Sequence, residues 1–326
     1  MKGRATSMSK LLNLLQDGRF HSGQDLGQAL GVSRSAVWKQ LQLLEADLGV
    51  TVHKVRGRGY RLSTPLSLLE PERLCAALAK LGWATEVHQV IDSTNAQALR
   101  TVATPLSRPL LILAERQDAG RGRRGRTWVS PYAANLYYSL ALPVQGGIKR
   151  LDGLSLVAGM AVVDCLRAQG LNDAMLKWPN DVLVHGRKIA GILLELVGDP
   201  ADQCHVVLGI GINANMREAE AIDQQWTSIY LQSHSAIDRN ALAISLSEAL
   251  AESIQALEAR GFASLRADWE ARHAWQRKDV HLISGTQTIS GRVLGITDQG
   301  ALRLEVNGKE EVFSGGELSL RLRDDS

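Results

Sequence analysis

The sequence predicts an α+β chain of three modules: a short basic helical unit closed by a hairpin, a larger body mixing strands and helices, and a small all-β unit at the C-terminus. Three observations carry that division. Charge is uneven, with ten Lys and Arg against four Asp and Glu in residues 1–64, a net +6, while residues 65–326 carry −3. The hydrophobic pattern changes from short helical stripes to apolar strands alternating with longer helices, and from Val280 to short alternating runs. Breakers mark the seams: Thr64-Pro65-Leu66-Ser67 stops helix and strand alike, and Ser284-Gly285, Asp298-Gln299-Gly300, Asn307-Gly308 and Ser314-Gly315-Gly316 punctuate the last module. The expected domains are 1–64, 65–272 and 273–326.

Bulk composition excludes several classes. With 326 residues, 45% hydrophobic and 22% charged, the chain has material for two or three folded domains. No apolar run approaches the roughly 20 residues of a membrane span, and Met1–Lys10 adjoins no signal-type apolar core. Cys75, Cys165 and Cys204 are odd in number and set among apolar neighbours, so buried free thiols in a reducing cytoplasm are expected, without disulfide or metal site.

In the first module Leu11, Leu12, Leu14 and Leu15 give one helix an apolar face. Ser22 and Asp25 resemble a capping box ahead of a second helix through Leu26 and Leu30, which Gly31 stops. Ser33 caps a third, through Val37-Trp38-Lys39-Gln40-Leu41 to Leu44. Val50–Val55 and Tyr60–Leu62 can pair around Arg56-Gly57-Arg58-Gly59 as a basic wing. This is a winged helix-turn-helix, with Ser33, Arg34, Ser35 and Lys39 facing the major groove of DNA and Lys54, Arg56 and Arg58 meeting phosphates or the minor groove.

The second module opens with a helix from Pro71, a strand Val87–Ile91, and Asp92-Ser93-Thr94-Asn95 capping a short helix, a place for a small polar ligand. From these residues alone, capping is the better account of Ser93 and Thr94. Leu151–Ala168 reads as a core helix whose Gly153, Ala158, Gly159 and Ala161 permit close packing. Lys177-Trp178-Pro179-Asn180-Asp181 leads into a hairpin turning at His185-Gly186, which puts Lys188 at the start of a buried strand near Gly191. Val206–Asn213 is another buried strand, and Asn240–Ala259 the final helix.

Residues 120–126, Gly-Arg-Gly-Arg-Arg-Gly-Arg, hold four cations and three glycines. Taken alone such a run repels itself, buries nothing and is expected to be mobile. Glycine backbone can close around an anion and arginine pairs with phosphate oxygens, so the loop is expected to order on a polyphosphate. Gly120, Gly122 and Gly125 also match a dinucleotide fingerprint, but Pro131 follows where that motif needs an apolar helix. Apolar strands on both sides place the loop inside a folded domain rather than in an RNA-binding tail.

Gly120–Gly125, Lys177–Asp181, Arg187–Glu195 and Gly209-Ile210-Gly211-Ile212-Asn213 together look like the motifs of biotin–protein ligases. With the winged helix in front, the whole chain resembles the bifunctional bacterial family that is both biotin ligase and biotin operon repressor. The resemblance implies a class II synthetase-like central mixed sheet and a C-terminal SH3-like barrel, which either caps that sheet or helps bind ATP or carrier. It implies a two-step reaction in which biotin and Mg-ATP give biotinyl-5′-adenylate, and a lysine of the biotin carboxyl carrier protein of acetyl-CoA carboxylase then takes the biotinyl group. By the same resemblance Ser93, Thr94, Asn95, Gln117, Gly120, Arg121, Gly122, Arg123 and Lys188 hold biotin, and Arg121, Arg123, Arg126, Trp128, Asn180 and Asn213 the nucleotide. Lys188 and Arg123 would serve the chemistry, Asp181 would orient or deprotonate the incoming lysine, and Mg²⁺ would be held mainly through phosphates, with no metal-ligand cluster in the chain. The liganded protein is expected to form a homodimer on operator DNA, with loops 143–149 and 198–203 near the interface. A biotin sensor that has lost ligase activity and a lipoate ligase of related fold are the alternatives.

Overall fold

The computed structural model describes residues 2–104, 106–145, 152–199, 203–315 and 318–323. In the N-terminal module, helices α1 (Lys2–Leu15), α2 (Gly23–Leu30) and α3 (Arg34–Leu48) precede a hairpin of β1 (Val52–Val55) and β2 (Gly59–Leu62). The predicted signals operate as read. Ser22 Oγ accepts from the Asp25 amide at 3.0 Å, Gly31 ends α2 at φ +68°, and Ser33 Oγ accepts from the Ala36 amide at 3.3 Å. Leu11, Leu15, Leu26, Val37, Leu41 and Leu44 bury together with Tyr60 and Leu62, and Tyr132 and Ala133 of the second module complete this core.

The central module is a seven-stranded mixed sheet of β3 (Ala84–Ile91), β4 (Leu110–Gln117), β5 (Leu136–Gln145), β6 (Ala174–Lys177), β7 (Asp181–Val184), β8 (Arg187–Gly198) and β9 (Gln203–Ile212). Its order is β3-β4-β5-β9-β8-β7-β6, and only β3 and β4 run parallel. Helices α4 (Pro71–Leu78), α6 (Leu154–Ala168) and α8 (Arg239–Arg260) cover one face, and α5 (Thr94–Thr101) packs on the other against Leu110, Ile112, Ala141 and Val207. A short α7 (Ile229–Ser233) precedes α8.

Two helix bounds differ from the sequence reading. α6 starts at Leu154 rather than Leu151 because Gly153 turns at φ +82° with the Phe262 ring against it, where a Cβ would lie 2.4 Å from the ring. α8 is not the last helix: Gly261 ends it, and α9 (Arg266–Ala271) follows. Beyond it, β10 (Asp279–Ser284), β11 (Gln287–Ile296), β12 (Leu302–Val306), β13 (Lys309–Phe313) and β14 (Leu318–Leu322) form a five-stranded antiparallel sheet, bulged between Val293 and Gly295. Its apolar residues share one core cluster with the central module, and Trp178 Nε1 donates to the Gly300 carbonyl at 3.1 Å. All three cysteines are free, but Cys75 is exposed on α4 rather than buried.

One buried ion pair ties the modules. Glu115 and Arg239 are both fully buried and joined through Oε2 and Nη2. The other carboxylate oxygen accepts from the Leu69 amide at 2.6 Å, and Arg239 donates to the carbonyls of Ser67 and Asn135, each at 2.8 Å. Arg239→Met removes the counter-charge and leaves Glu115 stranded, so it is expected to cost about 3–5 kcal/mol, measured as a fall in the urea-unfolding midpoint.

His273 contributes to the response to acid. It is 2% exposed, stacked on Trp269 at 4.8 Å between centroids, with Nε2 3.4 Å from the Trp178 amide. Burial pushes its pKa down from 6.5 to about 4. Between those values the unfolded chain binds the extra proton, so stability falls as pH drops from about 6.5 towards 4, by roughly 3 kcal/mol in all. Urea unfolding at pH 7 and pH 4.5 is expected to show this loss in the native protein and a smaller one in His273→Gln.

Candidate active site

The site occupies the sheet face opposite α4, α6 and α8. Register aligns Tyr137, Gly211 and Gly191 in one row across β5, β9 and β8, and Ser139, Gly209 and Leu193 in the next. Strand alternation then explains the Gly-Ile-Gly-Ile run: Ile210 and Ile212 bury in the core while both glycines face the site. A Cβ on Gly209 would sit 2.2 Å from Asn95 Oδ1, and one on Gly211 2.4 Å from the Trp128 indole. The glycines are hollows into which an amide and an indole are lowered.

A narrow first cavity lies over this floor, bounded by Ser93, Thr94, Asn95, Gln117, Arg121 and Lys188 among others. Its wall is a chain of hydrogen bonds. Gln117 Nε2 donates to Ser130 Oγ at 3.0 Å and Gln117 Oε1 accepts from Thr94 Oγ1 at 3.1 Å. Ser139 Oγ lies against both Thr94 Oγ1 and Asn95 Oδ1, and Asn95 Nδ2 donates to Glu195 Oε2 at 2.9 Å. Ser93 caps α5, and the turn before it is locked by Asp92, which the Arg100 guanidinium holds at a pKa of about 2. Such a wall offers donors and acceptors to a small neutral polar head.

The second cavity, about 360 Å³, adjoins the first and shares Gly122, Arg123, Trp128, Asn180 and Lys188 with it. Arg126, Lys177, Asp181, Asn213, Trp226 and residues Leu318–Leu320 of β14 complete it. Lys188 stands at the junction. A bulge between β7 and β8 gives Ile189 to the core and turns Lys188 to the site face. Its Nζ is 2.7 Å from Asp181 Oδ1 and 5.5 Å from the Trp128 ring centroid, and Lys177 Nζ is 3.8 Å from Asp181 Oδ2. Burial depresses the pKa of Lys177 and of Arg123, with Asp181 opposing in each case. Partly buried cations around Asp181 outnumber the carboxylates of this cavity, Asp181 and Asp223, and make a surface that favours an anionic ligand.

The basic loop is a closed turn. Arg121 bridges Thr127, the Gly122 amide donates to the Arg126 carbonyl at 2.8 Å, and Arg123–Gly125 form a 3₁₀ turn with Arg124 at φ +60°. The mobility expected from its composition is countered by partners distant in sequence: Arg121 pairs with Glu195, and Arg123 donates to Asn180 Oδ1 at 2.9 Å.

Three residues fall differently from expectation. Gly120 lines neither cavity: its carbonyl takes the Trp128 amide, and a Cβ would sit 2.4 Å from the Trp128 carbonyl, so it serves close packing. Arg121, drawn to Glu195, lines the first cavity and not the second. Asn213 lines the second, but its amide donates to the Thr227 carbonyl at 2.9 Å and so anchors the loop behind it. Sequence reasoning missed Ser139, Lys177 and Trp226, and left open whether the last module reaches the site, which β14 does. Loop 213–227 has no periodicity to mark it, yet the Gln225 carbonyl and Thr227 amide bracket the Lys188 backbone at 3.0 and 2.9 Å.

On the N-terminal module Arg34, Ser35 and Lys39 are exposed along α3, and Lys54, Arg56 and Arg58 along the wing. Ser33 is also exposed, although its hydroxyl is engaged as the helix cap. Trp38, 45% exposed between Ser35 and Lys39, belongs to the same stripe and was not singled out from sequence. Arg58 and Arg61 stack on Phe20 at 4.3 and 5.0 Å. The surface is cationic, with Trp38 on α3 and Val55 on the wing as its exposed large apolar groups, and the basic stripe is the electrostatic footprint of a nucleic-acid interface.

Comparison with known proteins agrees with this arrangement. An HTH domain model matches residues 8–61, the biotin/lipoate A/B protein ligase family residues 87–213, and the biotin protein ligase C terminal domain residues 278–321. The bifunctional ligase/repressor BirA of Escherichia coli is 41% identical over 96% of both chains, and that of Bacillus subtilis 31% over 95% of this chain and 98% of its own. The biotin protein ligase of Aquifex aeolicus, solved with biotin and ATP, superposes with a TM-score of 0.64 at 28% identity, covering 73% of this chain and 99% of that one. The chain belongs to the bifunctional ligase/repressor family of biotin protein ligases.

Proposed function

We infer that the chain is an ATP-dependent biotin–protein ligase and, through its helix-turn-helix module, a biotin-responsive repressor of transcription. The observation that carries this is the place of Lys188, where a polar cavity suited to a small ligand opens into a larger cationic one. Biotin fits the first, its ureido head against Thr94, Asn95, Gln117 and Ser139, and ATP the second.

In the first step a biotin carboxylate oxygen attacks the α-phosphorus, the bond from phosphorus to the bridging oxygen breaks, and pyrophosphate leaves. Two anions must meet, so the Lys188 ammonium and the Arg123 guanidinium supply the compensating charge. Asp181, between two ammoniums, orients Lys188. Mg²⁺ enters on the triphosphate as part of the nucleotide substrate, and among the described residues there is no cluster of three His, Cys, Asp or Glu side chains to bind it independently. In the second step the neutral carrier lysine attacks the acyl carbon, the bond from that carbon to the phosphate oxygen breaks, AMP departs with the electron pair, and Asp181, as the resemblance implies, takes the proton from the amine. The closed loop keeps water from the adenylate meanwhile. The acceptor is the biotin carboxyl carrier protein of acetyl-CoA carboxylase.

Biotinyl-adenylate, accumulating when acceptor is scarce, favours a homodimer that binds operator DNA. The basic loop supports this reading, since it packs beside Leu193–Glu195 near Leu196, which is 36% exposed. The expected interface loops lie partly outside the described residues, at 146–149 and 200–202. Among the described residues no helix is long and apolar enough to cross a membrane.

Lys188→Ala is expected to lower pyrophosphate release from biotin and ATP about 10²–10³-fold, with transfer from preformed adenylate much less affected. If the native protein bound biotin but released no pyrophosphate, it would be a sensor and not a ligase; labelling of carrier by lipoate alone would make it a lipoate ligase. For the DNA face, Arg56→Ala and Arg58→Ala should each weaken duplex binding and lower the slope of log affinity against log salt by about one, measured by fluorescence anisotropy.

A further inference from the structure

Glu195 has no part in the chemistry above, yet its carboxylate joins two elements that the reaction needs. Oε2 accepts from Asn95 Nδ2 at 2.9 Å, on the wall of the first cavity, and Oε1 pairs with Arg121 Nη2 in the basic loop. These partners are 100 and 74 residues away in sequence, on different elements, and Asn95 itself is 4% exposed. The Glu195 side chain is only 21% exposed, so its charge is partly shielded from water and its two bonds are charge-assisted.

The donor and acceptor pattern fixes more than position. An ionised carboxylate only accepts, so Asn95 must turn its NH₂ towards Glu195 and its carbonyl oxygen towards Ser139 and the cavity. The oxygen left on the other side of the carboxylate can hold only a donor, which Arg121 provides. One side chain therefore sets the orientation of a ligand-facing amide and holds the loop shut. From Ser130 the wall runs through Gln117, Thr94, Ser139 and Asn95 to Glu195 and ends on Arg121.

We propose that Glu195 is a positioning residue that couples occupancy of the first cavity to closure of the basic loop. This rests on the biotin reading of that cavity. A ligand that donates to Asn95 Oδ1 favours the amide orientation that Glu195 also requires, so ligand and closed loop stabilise one another. Glutamine cannot replace Glu195. Its NH₂ must face either Arg121, donor against donor, or Asn95, which would then have to turn its own NH₂ into the cavity.

The test compares native protein, Glu195→Gln, Arg121→Ala and the double variant. Biotin affinity is read by calorimetry, and tryptic cleavage at Arg121–Arg126 is followed by mass spectrometry with and without saturating biotin. In the native protein biotin is expected to slow cleavage at least ten-fold. Glu195→Gln is expected to bind biotin about ten-fold more weakly and to lose that protection even at saturation. The double variant should lose no more protection than either single one. Unchanged affinity and protection in Glu195→Gln, or a fall in Tm alone, overturns the proposal and leaves the biotin assignment standing, as does additivity in the double variant. Failure of the native protein to bind biotin overturns the assignment itself.

Discussion

The buried pair of Glu115 and Arg239 holds the frame on which both functions depend. Two charges at zero exposure are tolerable only if every remaining donor and acceptor is met. Here the leftover groups are met by backbone from two separate stretches, Ser67 and Leu69 in one and Asn135 in the other. The pair therefore acts less as a source of stability than as a specification of which stretches meet. Ser67 and Leu69 lie between the wing hairpin and α4, and Asn135 immediately precedes β5 at the edge of the ligand floor. The Ala133 amide donates to the Glu115 carbonyl at 2.9 Å, while Tyr132 and Ala133 insert into the winged-helix core. Two residues on, Gln117 reaches Ser130 at the rim of the first cavity. The end of β4 thus faces the ligand on one side and the DNA module on the other.

A second constraint follows from the sheet. Three helices cover one face and α5 covers only part of the other, so a ligand must approach the uncovered part of that second face, where side chains projecting at every second residue would fill the space. Gly191, Gly209 and Gly211 clear that space in register across β8 and β9. The room is used at once by Asn95 and Trp128, which turn a flat sheet into a shaped, polar and aromatic floor. Lys188 needs a further device, because strict alternation from Gly191 would point residue 188 into the core. The β-bulge at Ile189 corrects that parity.

Much of this was legible in the chain, and the limit is a physical one. Local signals were readable wherever a residue acts on its near neighbours: Ser22, Gly31 and Ser33 in the helix-turn-helix, Ser93 at α5, His185-Gly186 in the β7–β8 hairpin. The motifs around residues 120–126, 177–181 and 209–213 converge on one face. What composition could not reveal was pairing over distance. The heptad reads as mobile because its seven residues contain no anion, but Glu195 and Asn180 supply partners from 74 and 57 residues away. The last module was expected either to cap the sheet or to help bind ATP or carrier, but which of its strands would reach the second cavity was not readable, since Leu318–Leu320 reads only as a strand. Trp38 escaped notice because an apolar residue in a helix is ordinarily core; only its placement off the Val37–Leu41–Leu44 stripe marks it as exposed.

The closed loop is held in balance rather than locked. Four guanidiniums within seven residues repel one another, and Arg124 sits in the left-handed region at a cost of about 1 kcal/mol or more for a non-glycine residue. Against this stand three backbone hydrogen bonds, one half-exposed ion pair and one charge-assisted bond to an amide. Such contacts contribute on the order of 1 kcal/mol each, less for the exposed pair. Repulsion and strain therefore offset part of what these contacts contribute. A loop so balanced responds to anything that adds negative charge beneath it, and the cavities beneath it are where a carboxylate and a triphosphate would meet. Were the closed form much more stable, the ligand could not enter; were it much less so, the adenylate would meet water. On the proposed reading the same margin would let ligand shift the population of the surface presented at Arg121–Arg126, so that a loop suited to sequestering an intermediate would also report it.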